Sequence, residues 1–216
     1  EICRKCKGTK FEVKTWPCDL CIDSARTETT KLIDILQKDF GFSDYELHVF
    51  FSGHRGYHVH IEDETIRTLD AMARKEIVDY VICLGLNLFE KKSNSKLKKT
   101  DEKFRLHDFG WNRRLKESIK SFVDNSSKAD LQKVVGSQAS ELLSQYKGTA
   151  LTRCLEEDLW GAISGVSNGT WMKLALHVKD QNTAQIDTVV TTDIHRLIRM
   201  NGSLHGKTGL MKVEFP

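Results

Sequence analysis

The stretch from residue 46 to residue 61 limits the fold more than any other. ELHVFF, residues 46–51, is rich in residues that favour a buried strand, and YHVHI, residues 57–61, alternates strictly. Tyr57, Val59 and Ile61 fall on one side of that second strand, with His58 and His60 on the other. Between them Ser52-Gly53-His54-Arg55-Gly56 has turn composition. The segment is a strand-turn-strand unit that must bury one sheet face and collects its polar groups on the other. Two glycines flank His54-Arg55, and glycine lets a backbone approach an anion closely or take a positive φ. Arg55 offers a planar fork for phosphate oxygens, and His58 offers a second donor along the strand. Ser52 and the turn amides can add donors to the same anion. The bare S-G-x-R-G pattern also fits an ordinary hairpin turn with a solvated arginine.

A second polar cluster, DTVVTTDIHRLIRMNGSLHGKTGL, occupies residues 187–210. QIDTVV reads as a strand, and Thr191 or Thr192 starts a short helix through Arg199. Arg196 and Arg199 then share a helix face. A loop follows that can present His205, Lys207 and backbone amides to phosphates, and GLMKVEF reads as a final strand. Asp187, near a strand start, is a candidate metal ligand, whereas His195 reads as packing or surface. Alone, this cluster also fits a basic solvated helix with a plain loop.

Four of the six cysteines, Cys3, Cys6, Cys18 and Cys21, form C-x2-C-x11-C-x2-C. Two such knuckles point four thiolates at one tetrahedral ion, which fits structural zinc. A disulfide framework is the alternative, disfavoured because no signal-peptide pattern follows Glu1. A closed four-thiolate site does no hydrolysis. Cys83 and Cys154 read as small buried hydrophobes.

Elsewhere the pattern is helical. Residues 27–40 read as a helix with Leu32, Ile33, Leu36 and Phe40 on its apolar face, capped by Thr27 or Thr29 and stopped at Gly41. Residues 71–90 read as another, with Ile77, Val81, Leu84 and Leu88 buried. Residues 91–120 then hold eleven Lys/Arg against four Asp/Glu, with Phe104, Phe109 and Trp111 interleaved. Helices follow at 114–124, 128–146 and 155–163, and SNGTWMKLALHV is open to a strand-like excursion. The whole chain has a net charge of only +3, with 39% hydrophobic residues, so charge alone does not announce nucleic acid. No apolar run approaches the ~18 residues a membrane span needs.

Together the two clusters resemble the catalytic (small) subunit of archaeal and eukaryotic DNA primase. That family has S-G-x-R-G-x-H followed much later by D-x-x-R-L-I-R-x-P-x-S-L-H-G-K-[ST]-G-L. Here these are SGHRGYH, residues 52–58, and DIHRLIRMNGSLHGKTGL, residues 193–210. The family's zinc module precedes the first motif, as the cysteines do here. The resemblance implies an α+β fold: a primase-type mixed sheet with flanking helices, a small zinc-binding module and a mainly helical insertion. It divides the chain into a zinc module at 1–22, catalytic core at 23–111, helical insertion at 112–183 and a return to the core at 184–216. It implies template-dependent synthesis of primers from nucleoside triphosphates, with two magnesium or manganese ions held by three carboxylates. On that likeness Asp187 is the third metal-binding aspartate, and Ser52, Arg55, His58, Arg199 and His205 meet the incoming triphosphate. Cys3, Cys6, Cys18 and Cys21 hold zinc. The implied partners are a primase large subunit, in a heterodimer, and a single-stranded DNA template. The implied location is the cytoplasm, associated with the nucleoid, or the nucleus in a eukaryote; no membrane is implied.

This sequence departs from the family at three points. The family's first two carboxylates form Asp-x-Asp ahead of the zinc cysteines. Nothing before Cys3 matches, and Asp19 and Asp23 have the wrong spacing. A start two residues before Cys3 is therefore expected to be a cut, which leaves the segment a poor nucleotide binder and inactive by itself. Asn201 stands where the motif has Pro, and His54 where Arg or Asn is common. The related bacterial end-joining primase-polymerases normally lack the four cysteines. A non-catalytic zinc-ribbon nucleic-acid-binding module, using the basic run 91–120, is the alternative from another class. The primase reading expects Arg55, His58, Asp187, Arg199 and His205 to converge in one cleft.

Overall fold

The computed structural model describes residues 16–86, 88–90, 103–104, 106–156 and 163–215. Mixed helix and antiparallel sheet make an α+β chain that divides into two compact units. The first unit is Glu1–Met72 with Val189–Pro216, and the second is Ala73–Thr188.

The first unit begins with α1, Asp19–Phe40, which starts eight residues ahead of the expected cap. Thr27, Thr29 and Thr30 do not cap it. Their hydroxyls donate back to the carbonyls of Asp23, Ala25 and Arg26, so they sit inside the helix with their polarity satisfied locally. The stop is where glycine predicts it: Gly41 takes φ +81° and its N–H donates to Gln37 O. Ile35 and Leu36 are buried on the helix's inner face.

Strands β1, Leu47–Phe51, and β2, Tyr57–Ile61, form the expected hairpin. Their register pairs His48 with His60 and Phe50 with His58. Opposed residues share a face, so His48, Phe50, His58 and His60 lie together. A third strand, Val213–Phe215, pairs antiparallel with β1 and adds Glu214 opposite Phe50. The sheet order is β2, β1, then this C-terminal strand. A four-residue helix, α2 (Glu64–Arg67), follows β2, capped by Asp63, which accepts from the amides of Thr65 and Ile66.

Residues 187–199 differ from their expected form. Thr188–Thr192 is one helical turn rather than a strand, and 193–199 are turn and coil rather than helix. Among the described residues no strand pairs with Thr188–Thr192, so its amides bond within the segment instead, as Asp193 N to Val189 O at 3.1 Å. Asp193 then closes a local turn by accepting from His195 N at 3.0 Å. Arg196 and Arg199 therefore share no helix face. His195 is exposed. Residues 202–212 fold as a small hairpin: Gly202 N donates to Lys212 O at 2.9 Å, Lys212 N to Ser203 O at 2.9 Å and His205 N to Leu210 O at 2.8 Å.

The second unit is mainly helical. Helix α3, Ala71–Val81, straddles the division between the units and is shorter than expected. The chain breaks after it because Cys83 and Gly85 take φ of +55° and +76°. Leu84 is thereby turned outward at 63% exposure, while Leu88 and Cys83 are buried. Two short strands, β3 (Phe89–Glu90) and β4 (Lys103–Phe104), pair antiparallel. Five helices follow, α4 (Gly110–Asn125), α5 (Lys128–Val135), α6 (Ser137–Gln145), α7 (Thr149–Glu156) and α8 (Asn168–Asn182). The expected helix over 128–146 is two, broken at Gly136 with φ +87°. SNGTWMKLALHV is helix, capped by Ser167, which accepts from Thr170 N. Trp111, Leu115, Ile119 and Val123 recur every four residues on α4, and Leu131, Leu143, Leu151, Trp171 and Leu174 join all but Trp111 of them in one core. Among the described residues no helix is long and apolar enough to cross a membrane. The C-terminal strand, Val213–Phe215, is β5, and the helical turn Thr188–Thr192 is α9.

Candidate functional site: a basic cleft at the end of the hairpin

Ser52, His54, Arg55, Gly56, His58, Arg199 and His205 line one open cleft of about 380 Å³. All seven belong to the first unit. The β1–β2 loop forms one wall. It is closed by Ser52 N donating to Gly56 O at 2.9 Å. The Ser52 hydroxyl oxygen accepts from the amides of His54 and Gly56, both at 3.3 Å. Ser52 thus shapes the loop, and its own hydroxyl proton remains a donor.

The second motif is clamped onto this loop. Arg199 Nη1 donates to Ser52 O at 2.9 Å, and Thr208 Oγ1 donates to Gly53 O at 2.5 Å. Gly53 takes φ +78°, and a Cβ there would lie 2.7 Å from Leu210 O and 3.1 Å from His205 Cβ. Glycine is required by conformation and by contact at once. His205 Nδ1 accepts from Lys207 N at 3.3 Å, which puts the neutral ring's proton on Nε2 as a donor. The His54 ring stacks on His205 with centroids 4.9 Å apart and planes 3° from parallel. His54 Nε2 is buried with no hydrogen-bond partner.

The cleft is cationic. Arg55 and Arg199 line it, and the charge of Lys207 reaches His205. Burial, then Lys212 and Arg199, push the His58 pKa down from its ordinary value. Burial, with Arg199, His54 and Lys207, does the same to His205. In both rings the burial and the neighbouring positive charges disfavour the imidazolium form. Behind the cleft, on the polar sheet face, Lys212 is 1% exposed and its Nζ lies 3.3 Å from His60 Nε2. The neighbouring acid, Glu214, accepts from His48 Nδ1 at 2.8 Å, and this bond raises the His48 pKa.

Of the residues the sequence singles out, Ser52, Arg55, His58, Arg199 and His205 lie together in this cleft. Asp187 is exposed, immediately precedes α9 and belongs to the second unit. Cys3 and Cys6 lie outside the described residues. Cys18 and Cys21 are exposed on the first turn of α1 with sulfurs 3.2 Å apart. That is shorter than the roughly 3.8 Å edge of a zinc tetrathiolate with ~2.3 Å bonds, so the two thiols are near neighbours of the right type but sit at hydrogen-bond rather than ligand spacing. Among the described residues no three potential ligands cluster for a metal. Trp111 is not part of a nucleic-acid surface. It is 5% exposed and its Nε1 donates to Tyr80 O at 2.5 Å. Phe109 is 70% exposed and stacks on His107.

Sequence reasoning passed over His54, Thr208 and Lys212. His54 carries no role in the sequence reading because it stands where the family often has Arg or Asn, although its place beside Gly53 is a signal. Thr208 and Lys212 act through a carbonyl or from beneath the sheet, which no motif spacing reveals.

Comparisons with known proteins place the whole stretch in one family. The family profile described as DNA primase small subunit matches residues 14–215. The DNA primase small subunit PriS of Methanococcoides burtonii is 35% identical over 205 residues, which are 88% of this chain and 53% of that protein. The protein of the same name from Nitrosopumilus maritimus is 32% identical over 215 residues, 99% of this chain and 49% of that protein. That from Halorubrum lacusprofundi is 35% identical over 196 residues, 84% and 48%. The chain spans about half the length of these curated relatives. With the profile covering both polar clusters and the helices between, the chain belongs to the DNA primase small subunit family.

Proposed function

We propose that the cleft binds the triphosphate of an incoming nucleotide, and that the chain supplies this part of a primase catalytic subunit making short primers on a single-stranded DNA template. The convergence of Ser52, Arg55, His58, Arg199 and His205, from two motifs about 140 residues apart, carries the reading. A triphosphate needs several cationic and neutral donors around it, and this cleft offers guanidinium, imidazole and hydroxyl groups, with no carboxylate among its described lining residues.

The residues divide the work by position. Arg55, exposed at the loop tip, offers a bidentate fork to phosphate oxygens. Arg199, held by Ser52 O, offers its remaining N–H groups in a fixed pose. His58 and His205 gain protons as the polyanion arrives, which strengthens their donation. Asp187 is the carboxylate this chain would give to magnesium or manganese. Such ions, when bound, lower the pKa of an attacking 3′-hydroxyl and stabilise the leaving pyrophosphate. Cys3, Cys6, Cys18 and Cys21 would hold zinc as a structural clip. The working enzyme is proposed to pair with a primase large subunit and to act where the cell's DNA is replicated.

The test is template-directed incorporation of labelled nucleotides by a full-length subunit carrying this sequence. Asp187→Ala should abolish incorporation while triphosphate binding persists. Template binding with no incorporation by the unmutated subunit would instead support a non-catalytic zinc-ribbon module.

A further inference from the structure

Lysine is seldom fully buried unless paired with an acid. Lys212, 1% exposed, has other partners. Its ammonium donates to Arg199 O at 2.8 Å, lies 3.3 Å from His60 Nε2 and sits 4.3 Å from the centre of the Phe50 ring. The ionisable groups whose charge bears on it or responds to it are Arg199, His58, His60 and Glu214. Glu214 is engaged by His48, and the other three are cations or can become cations. Burying an ammonium beside another cation, with its nearest carboxylate shared with His48, is costly. Stability alone gives no reason to keep this charge. A site that receives a polyanion does.

We infer that Lys212 is a positioning residue of the triphosphate cleft: its buried ammonium fixes the Arg199 main chain, and so the guanidinium in the cleft, while placing a permanent positive charge beneath the phosphates. The inference rests on the triphosphate reading of the cleft. Both ends of Arg199 are then held, its carbonyl by Lys212 and its guanidinium by Ser52 O at 2.9 Å, so less freedom is lost on binding. Lys212 also closes the base of the hairpin that ends in His205, through its backbone bonds to Gly202 and Ser203. One residue thereby supports two phosphate donors of the second motif, Arg199 and His205, without touching the ligand.

The experiment titrates inorganic triphosphate into a full-length subunit carrying this sequence, its Lys212→Met variant and an Arg55→Ala variant, and measures thermal stability alongside. Lys212→Met should weaken binding by about ten-fold or more as Arg199 loses its fixed pose and the cleft loses a charge, whatever the change in melting temperature. A merely structural lysine would give a lower melting temperature with unchanged affinity. Unchanged affinity in Lys212→Met, with binding lost in Arg55→Ala, overturns the role of Lys212 and leaves the cleft reading standing. No binding by the unmutated subunit, or none lost in Arg55→Ala, overturns the cleft reading itself. If Lys212→Met does not fold, the unmutated subunit decides by nitrogen NMR. The Lys212 ammonium should titrate at higher pH with triphosphate bound, and an unmoved midpoint overturns the inference.

Discussion

Gly53 joins the two motifs at the level of single atoms. Its carbonyl accepts from Thr208, and its missing Cβ leaves room for Leu210 O. Gly53→Ala should cost about 1–3 kcal/mol of stability from the positive φ and the contact. It should also weaken triphosphate binding, both read by urea unfolding and a binding titration; an alanine variant as stable as the parent would contradict this packing. The histidines make a second prediction. His58 and His60 are held below their ordinary value of 6.5, chiefly by burial. Below 6.5 the unfolded chain therefore takes up protons that the folded chain refuses, and stability present above that pH is lost as pH falls. His48 works the other way, since Glu214 raises it: its stabilisation is full below 6.5 and is lost as pH rises through the raised value. His60→Gln should flatten the acid side of the urea midpoint-versus-pH curve, and His48→Gln the alkaline side. A steeper acid slope in His60→Gln would contradict the assignment.

At the scale of elements, strict alternation made the hairpin legible. YHVHI is a strand at 57–61, although all five residues are half-buried and buried Phe50 lies on the histidine side of the sheet. Gly41 likewise marked the end of α1. What was not legible had competing local signals. Threonines that look like caps bond backward inside α1, and the β-branched run of Thr188–Thr192 forms a helical turn where no strand accompanies it. The helix expected over 71–90 ends at Val81 because Cys83, a residue without glycine's freedom, takes a positive φ. The helical unit depends on α4 and α8, whose residues Leu115, Ile119, Trp171 and Leu174 are wholly buried. Trp171→Ala should remove about 3–5 kcal/mol, measured by denaturant unfolding. A loss below 1 kcal/mol would mean that Trp171 is not central to that core.

For the molecule as a whole, residue types and spacing made the polar groups legible, while the expectation that they meet came from the family resemblance alone. Spacing along the chain says nothing of which loop the second motif will meet. The answer came from Arg199 and Thr208 bonding the carbonyls of Ser52 and Gly53. The charge balance was equally silent. A chain with a net charge of +3 concentrates Arg55, Arg199 and buried Lys212 around one cleft. The central claim is that two distant motifs form one phosphate site. Its most direct test is a histidine-ring NMR titration of the chain with a nucleoside triphosphate at pH 7. His54, His58 and His205 should shift together along one binding curve, while His107, His177 and His195 stay still. Rings of the two motifs that respond with different affinities, or not at all, would contradict the claim.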